Sequence, residues 1–167
     1  MTDDLIFLIH KYIEATGSYV QFTGGEPLLN RDIVKLVRIT SKAGGIPEIN
    51  TNGFSLTPEI AKQLQEGGIN VLKVSIPSFN SNLYNEITGV NVLSRVFKNI
   101  RDTQKIINIR INMVAMKHTL SEIDFMIDTC RELGVKQLLL LELIYNPHLQ
   151  GAKRFFREQY VDIKKEL

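Results

Sequence analysis

The feature that most constrains this chain is its alternation. Five short runs with strand character, at 19–23, 46–51, 71–76, 108–116 and 135–143, are separated by stretches with helical periodicity. No two of them are joined by a two-residue turn, so parallel pairing through right-handed crossovers is predicted. Gly17, Gly44-Gly45, Gly67-Gly68 and Gly134 each follow a helical run and are expected to end it. Asn30 is expected to cap the helix carrying Ile33, Val34, Leu36 and Val37. Thr57 with Pro58 should open the next helix. Thr119 and Glu122 have capping-box spacing, which predicts one helix from there to Leu133.

The strands carry a second signal. Strands buried on both faces of a parallel sheet usually form continuous apolar runs. Here Gln21 and Thr23 share one face, as do Glu48, Asn50 and Asn52, then Lys73 and Ser75, then Arg110 and Asn112. Ile49, Leu72, Val74, Ile109, Ile111 and Met113 take the opposite face. One apolar side covered by helices and one polar side predict an α/β fold of parallel βα units curved into an open or closed barrel. Its polar lining is more consistent with a wet site than with a packed core.

At 44% hydrophobic and 23% charged, 167 residues suffice for one domain with a sizeable core. That domain is expected over 1–150, with a charged helical tail over 151–167. Twenty basic against 18 acidic residues leave a net charge of +2, which argues against nucleic-acid or membrane partners. No apolar run approaches a membrane span, and the acidic start lacks the charge pattern of a secretion signal, so a cytoplasmic protein is expected. His10, His118 and His148 show no metal-ligand spacing. The single cysteine, Cys130, lies in a helical pattern and fits a small core residue.

The richest stretch is YVQFTGGEP, residues 19–27. An alternating strand runs into two glycines, an acid and a proline. Gly24 and Gly25 allow positive φ or close approach of a ligand. Such a turn at the carboxyl end of a parallel strand lies where α/β folds place their ligands.

GGEPLLNRD at 24–32 resembles the GGEP motif of radical S-adenosylmethionine (SAM) enzymes, in particular the GTP 3′,8-cyclase branch of molybdenum cofactor biosynthesis. NTNGFSLT at 50–57 is similar to the family's TTNG turn, with Asn50 for the first threonine. VLKVSIPSFNSNLYNEITG at 71–89 resembles a further family stretch, with Pro77 for an acid. The resemblance implies a partial TIM-like (βα)6 barrel lacking its first strand. It implies SAM contacts at Gly24, Gly25, Glu26, Pro27, Asn50, Thr51, Asn52 and Ser75. It also implies a nucleotide-like substrate near Gln21, Arg110, Asn112 and Glu142, although Gln21 stands where the cyclases have an arginine. The methionine near the family's SAM adenine is replaced by Ile144.

In the family, a Cys-x3-Cys-x2-Cys loop holds a 4Fe–4S cluster that cleaves SAM. That loop, with the first strand, would precede residue 1. With Cys130 alone, no cluster, other metal site or catalytic residue is expected in this chain by itself, and SAM binding should be weak or lost. The expectation is therefore a truncated or split radical SAM enzyme, inactive alone. The alternative is a non-catalytic SAM- or nucleotide-binding module on the same fold. The strand edge from Tyr19 to Thr23, missing its neighbour, should be covered by a second copy, a partner chain or the tail.

Overall fold

The computed structural model describes residues 2–142. The tail at 151–167, the domain limit at 150 and the position of Ile144 lie outside the described residues. Helix α1 (Thr2–Thr16) leads into strand β1 (Tyr19–Phe22). A single 3-10 turn (Pro27–Leu29) precedes α2 (Ile33–Lys42), β2 (Ile46–Thr51), α3 (Pro58–Glu66) and β3 (Val71–Ser75). Then follow α4 (Ser81–Thr88), α5 (Leu93–Thr103), β4 (Ile109–Ala115), α6 (Lys117–Leu120), α7 (Ile123–Leu133) and β5 (Gln137–Glu142).

The five strands form one parallel sheet in the order β1-β2-β3-β4-β5. A sheet that grows sequentially through same-handed crossovers keeps its helices on one side. The core agrees: Val37 of α2, Leu64 of α3, Val96 and Ile100 of α5 and Met126 of α7 join Ile49, Val74 and Ile111 in one cluster. A smaller cluster joins Ile9 and Ile13 of α1 to Leu36, with Val20 and Phe22 packed against it. This is the α/β, barrel-like arrangement that the alternation predicts.

Side-chain caps open two of the helices. Thr57 Oγ1 accepts the Ile60 N–H at 3.2 Å, with Pro58 at the first helical position. Asn80 Oδ1 accepts from Asn82 N at 2.9 Å and Leu83 N at 3.2 Å and opens α4. Two expectations change. Asn30 closes the 3-10 turn rather than capping α2; its Oδ1 accepts from Asp32 N, and Asp32 is the cap position. Thr119 does not open the helix to Leu133. Its hydroxyl accepts the Met116 N–H at 2.6 Å as the third residue of the short α6, and α7 starts after Glu122. The capping spacing therefore belongs to the turn before: Met116, not Thr119, sits at the cap.

Cys130 lies on α7 in the main core, 5% exposed. Burial pushes its thiol from 9.0 up to about 11. The neutral thiol suits the apolar surroundings, so its contribution is complete below the unfolded value and is lost as pH rises through the folded one. The native protein should resist an aromatic disulfide reagent near about pH 8 and react fully once unfolded. Between about pH 9 and 11 its melting temperature should fall more steeply than that of Cys130→Ala. Parallel slopes for the two proteins would contradict this placement.

Candidate functional site

The register sorts the strand residues by face. Asn50, Lys73, Arg110 and Gln137 stand side by side across β2 to β5. One layer further along, Ser75 pairs with Asn112 and Asn112 with Leu139. Gln21 pairs with Glu48 one layer back. Gln21, Asn50, Ser75, Arg110 and Asn112 therefore share the face turned away from the helices. Despite their polarity, Lys73, Glu48 and Asn112 are only 7%, 8% and 8% exposed, as residues lining a concave face would be.

Glu142 departs from this set. It is in register with Ala115, in the alternation of Ile111 and Met113 rather than of Arg110 and Asn112. The expectation that it joins them fails because β5 presents Gln137, Leu139 and Leu141 in the lumen phase. A four-leucine run, 138–141, carries no alternation from which that phase could be read.

The two glycine turns at the strand ends are tied together by one carboxylate. Glu26 Oε1 accepts from Thr51 Oγ1 at 2.5 Å and from Leu28 N at 3.1 Å. Its Oε2 accepts the Asn52 N–H at 2.8 Å. Thr51 Oγ1 in turn accepts from Gly53 N at 3.1 Å. On the far side, Asn99 Nδ2 of α5 donates to the carbonyls of Gly53 and Phe54, each at 3.0 Å. The Arg95 guanidinium covers the Phe54 ring at 4.0 Å. Glu26 and Thr51 thus hold each other through their side chains, and Pro27 is buried in the 3-10 turn that Glu26 caps.

Gly24 and Gly25 remain open. Gly24 has φ +102, and a Cβ on either glycine would meet nothing within 4 Å. No turn or loop hydrogen bond among the described residues uses either backbone. Gly53 differs: its φ is +76, and a Cβ there would lie 2.8 Å from Val74 Cγ1. One glycine turn faces open space and the other is closed by packing. On β2, Asn50 Oδ1 is buried without a hydrogen-bond partner, as are Thr40 Oγ1 and Glu122 Oε2 elsewhere. A buried acceptor left open is unusual.

Glu48, Lys73 and Asn99 were not singled out as site residues from the sequence. The Lys73 ammonium pairs with Glu48 Oε2 and donates to Gln21 Oε1 at 2.8 Å. The alternation placed Glu48 and Lys73 on the polar face, but Glu48 lies in no motif and the 71–89 stretch that contains Lys73 gives that residue no role. Asn99 lies in a helix, where nothing in the spacing marks it. Arg110 Nε donates to Asn112 Oδ1 at 3.2 Å.

Removing the Glu26 carboxylate tests the clamp. Glu26→Ala should cost about 1–3 kcal/mol in denaturant unfolding, because it strands the Asn52 N–H and the Thr51 hydroxyl. Amide exchange at Asn52 and Gly53 should accelerate together. Unchanged exchange at Asn52 would mean that this carboxylate does not hold the turn.

Comparison with known proteins places this geometry. The model of the radical SAM superfamily matches residues 2–130. The chain is 36% identical over 153 residues to a "Probable GTP 3′,8-cyclase" of Sulfurisphaera tokodaii, covering 89% of this chain and 48% of that protein. It is 32% identical over 173 residues to a GTP 3′,8-cyclase of Clostridium acetobutylicum, covering 98% of this chain and 52% of that protein. The chain thus spans about half the length of these relatives. The structure of native anSMEcpe with bound AdoMet and Cp18Cys peptide superimposes with a TM-score of 0.75 at 18% identity, over 96% of this chain and 47% of that one. No helix among the described residues is long and apolar enough to cross a membrane. A parallel sheet wound on one side, ending in a GGEP turn clamped to a TNG turn, is here joined to a family match over most of the sequence: the chain belongs to the radical SAM superfamily and is related to the GTP 3′,8-cyclases.

Proposed function

We propose that this chain is the SAM-side core of a cytoplasmic radical SAM enzyme of the GTP 3′,8-cyclase type, acting on a small nucleotide-like substrate. The observation that supports this best is the Glu26 clamp. It fixes two turns at the carboxyl ends of β1 and β2 and leaves the Gly24-Gly25 backbone open, while Asn50 Oδ1 on β2 is buried without a partner. This donor set fits SAM: backbone groups of Gly24 and Gly25 for its charged amino-acid end, Asn50 and Ser75 for its polar groups. When bound, SAM supplies the sulfonium whose reductive cleavage defines the family. The chain's own part is to hold and orient. Gln21, Arg110 and Asn112 line the side on which a substrate would lie.

The same residues do not fit a 4Fe–4S cluster. The sequence has one cysteine, which is buried in the core, and no group of three metal-ligating side chains occurs among the described residues. Thiolate ligation needs several sulfurs converging. In this reading the thiolates reach the site from outside these 167 residues, and the polypeptide alone is inactive. The lone cysteine equally favours the second reading, a non-catalytic SAM- or nucleotide-binding module. β1 offers a place for an added segment. Among the described residues it pairs only with β2, and its other edge borders an apolar groove of about 280 Å³ lined by Leu8, Tyr12, Tyr19 and Val20.

Anaerobic reconstitution with iron and sulfide should leave the chain without stoichiometric iron and without 5′-deoxyadenosine production. SAM titration should give a dissociation constant above about 1 µM, because the remaining hydrogen bonds each contribute only about 0.5–1.5 kcal/mol. Bound iron with SAM cleavage would sink the reading of the cluster. Adding a three-cysteine segment in trans separates the two readings: restored cleavage supports the enzyme core, and continued silence supports the binding module.

The free edge makes a separate prediction. Sedimentation at rising concentration should show a second copy or a co-purified partner on β1. A clean monomer at all concentrations would refute an intermolecular cover for that edge.

A further inference from the structure

Gln21 and Lys73 stand 52 residues apart on β1 and β3, with β2 between them. Strands two apart in a sheet lie roughly 9.5 Å from one another, so only two long side chains reaching over β2 can meet. Here they do: the Lys73 ammonium donates to Gln21 Oε1 at 2.8 Å. Glu48 of β2 holds the same ammonium through Oε2, and Asn70 Nδ2 approaches the other Glu48 oxygen at 3.4 Å. The Lys73 and Glu48 side chains are only 9% and 11% exposed, whereas Gln21 is an exposed residue. An ammonium has donors and no acceptor. It can bind only the oxygen of a carboxamide, so this contact decides which way round the Gln21 amide stands. Left to itself, an exposed glutamine samples many rotamers and both amide orientations. In this structure Oε1 is turned to β3, and Nε2 with its two N–H groups is turned away from the cation.

We propose that Lys73 is a positioning residue: it locks the Gln21 carboxamide so that Nε2 offers its N–H groups to an oxygen acceptor of the substrate. This rests on the reading above, from which it takes the lumen face as the substrate side. Gln21 then presents a neutral donor of fixed direction. Ordering that donor before the ligand arrives removes an entropic cost of binding. The acceptor is an oxygen of a nucleotide, on its phosphates or on its nucleoside, and a charged phosphate oxygen would bind the more strongly. Glu48 serves the same end by holding the ammonium in place. A buried ion pair is a weak source of stability; the use of this one is to aim a third group.

Two NMR measurements on the full chain test this. The first, without ligand, follows rotation of the Gln21 side-chain NH2 about its C–N bond, the signal being assigned by its loss in Gln21→Met. A carboxamide oxygen that accepts from a cation strengthens the partial double bond and slows that rotation. In the wild type, rotation at Gln21 should be about tenfold slower than at the exposed Gln65 of α3. Glu48→Met with Lys73→Met removes the ion pair without stranding a buried charge, and there the difference should vanish. Equal rates at Gln21 and Gln65 in the wild type would overturn the proposal whether or not that variant folds. The second measurement titrates GTP and guanosine. Gln21→Met should weaken GTP binding about tenfold in the wild-type background and less than about threefold in the Glu48→Met, Lys73→Met background. If Lys73 only supported the fold, Gln21→Met would cost the same in both backgrounds, and that result would also defeat the proposal. A loss shared by guanosine assigns the acceptor to the nucleoside, and a loss confined to GTP assigns it to a phosphate. Absence of GTP binding by the wild type would count against the substrate reading, while the rotation rate still decides the orientation of Gln21.

Discussion

The winding of the sheet on one side is the constraint on which the rest of the structure depends. Each strand is added beside the one before it, and the helices of the main core pack on the same face. That face must be apolar, and Ile49, Leu72, Val74 and Ile111 supply it with no measurable exposure. The other face is released from the need to pack against helices. It can therefore hold Glu48, Lys73, Arg110 and Asn112 near the centre of the sheet, provided that each finds a partner. Most do: Glu48 with Lys73, Lys73 with Gln21, Arg110 with Asn112. Asn50 Oδ1 does not.

The rim is built for rigidity. Glu26 links two turns that are 25 residues apart in sequence, and Asn99 of α5 holds the second turn from behind. Turns fixed in this way do not have to be ordered when a ligand arrives, which lowers the entropic cost of binding. The contrast between Gly24 and Gly53 fits the same division. Gly53 is pressed against Val74 and Val96 and anchors the turn, whereas Gly24 faces open space. A glycine in a closed site is explained by packing. A glycine with positive φ beside open space leaves room for another molecule.

Membership of the superfamily and the chemistry available to these residues are separate matters. The family model matches residues 2–130, and the fold and the two turns are well formed there. The thiolates that such chemistry requires are not among these residues. Cys130 is no substitute, because burial keeps it protonated and it belongs to the helix layer.

How much could be read directly from the sequence follows from physical range. Periodicity is local: alternation every second residue gave the polar and apolar strand faces, and glycines after helical runs gave the ends. The GGEP and TNG turns were legible for the same reason, being short contiguous stretches with unusual composition. Register along β5 was not legible, because consecutive leucines lack an alternating phase; only pairing with β4 placed Glu142 opposite Ala115. The partners of Glu26, Lys73 and Asn99 were equally out of reach. Apart from the local Glu26–Leu28 bond, each of those contacts spans 25 or more residues, and no local rule relates residues so far apart. The sequence by itself determined the element types, the faces of the first four strands and the family. Tertiary structure alone decided which polar groups neutralise one another and which are left without a partner, because that depends on distances set when distant strands come into register.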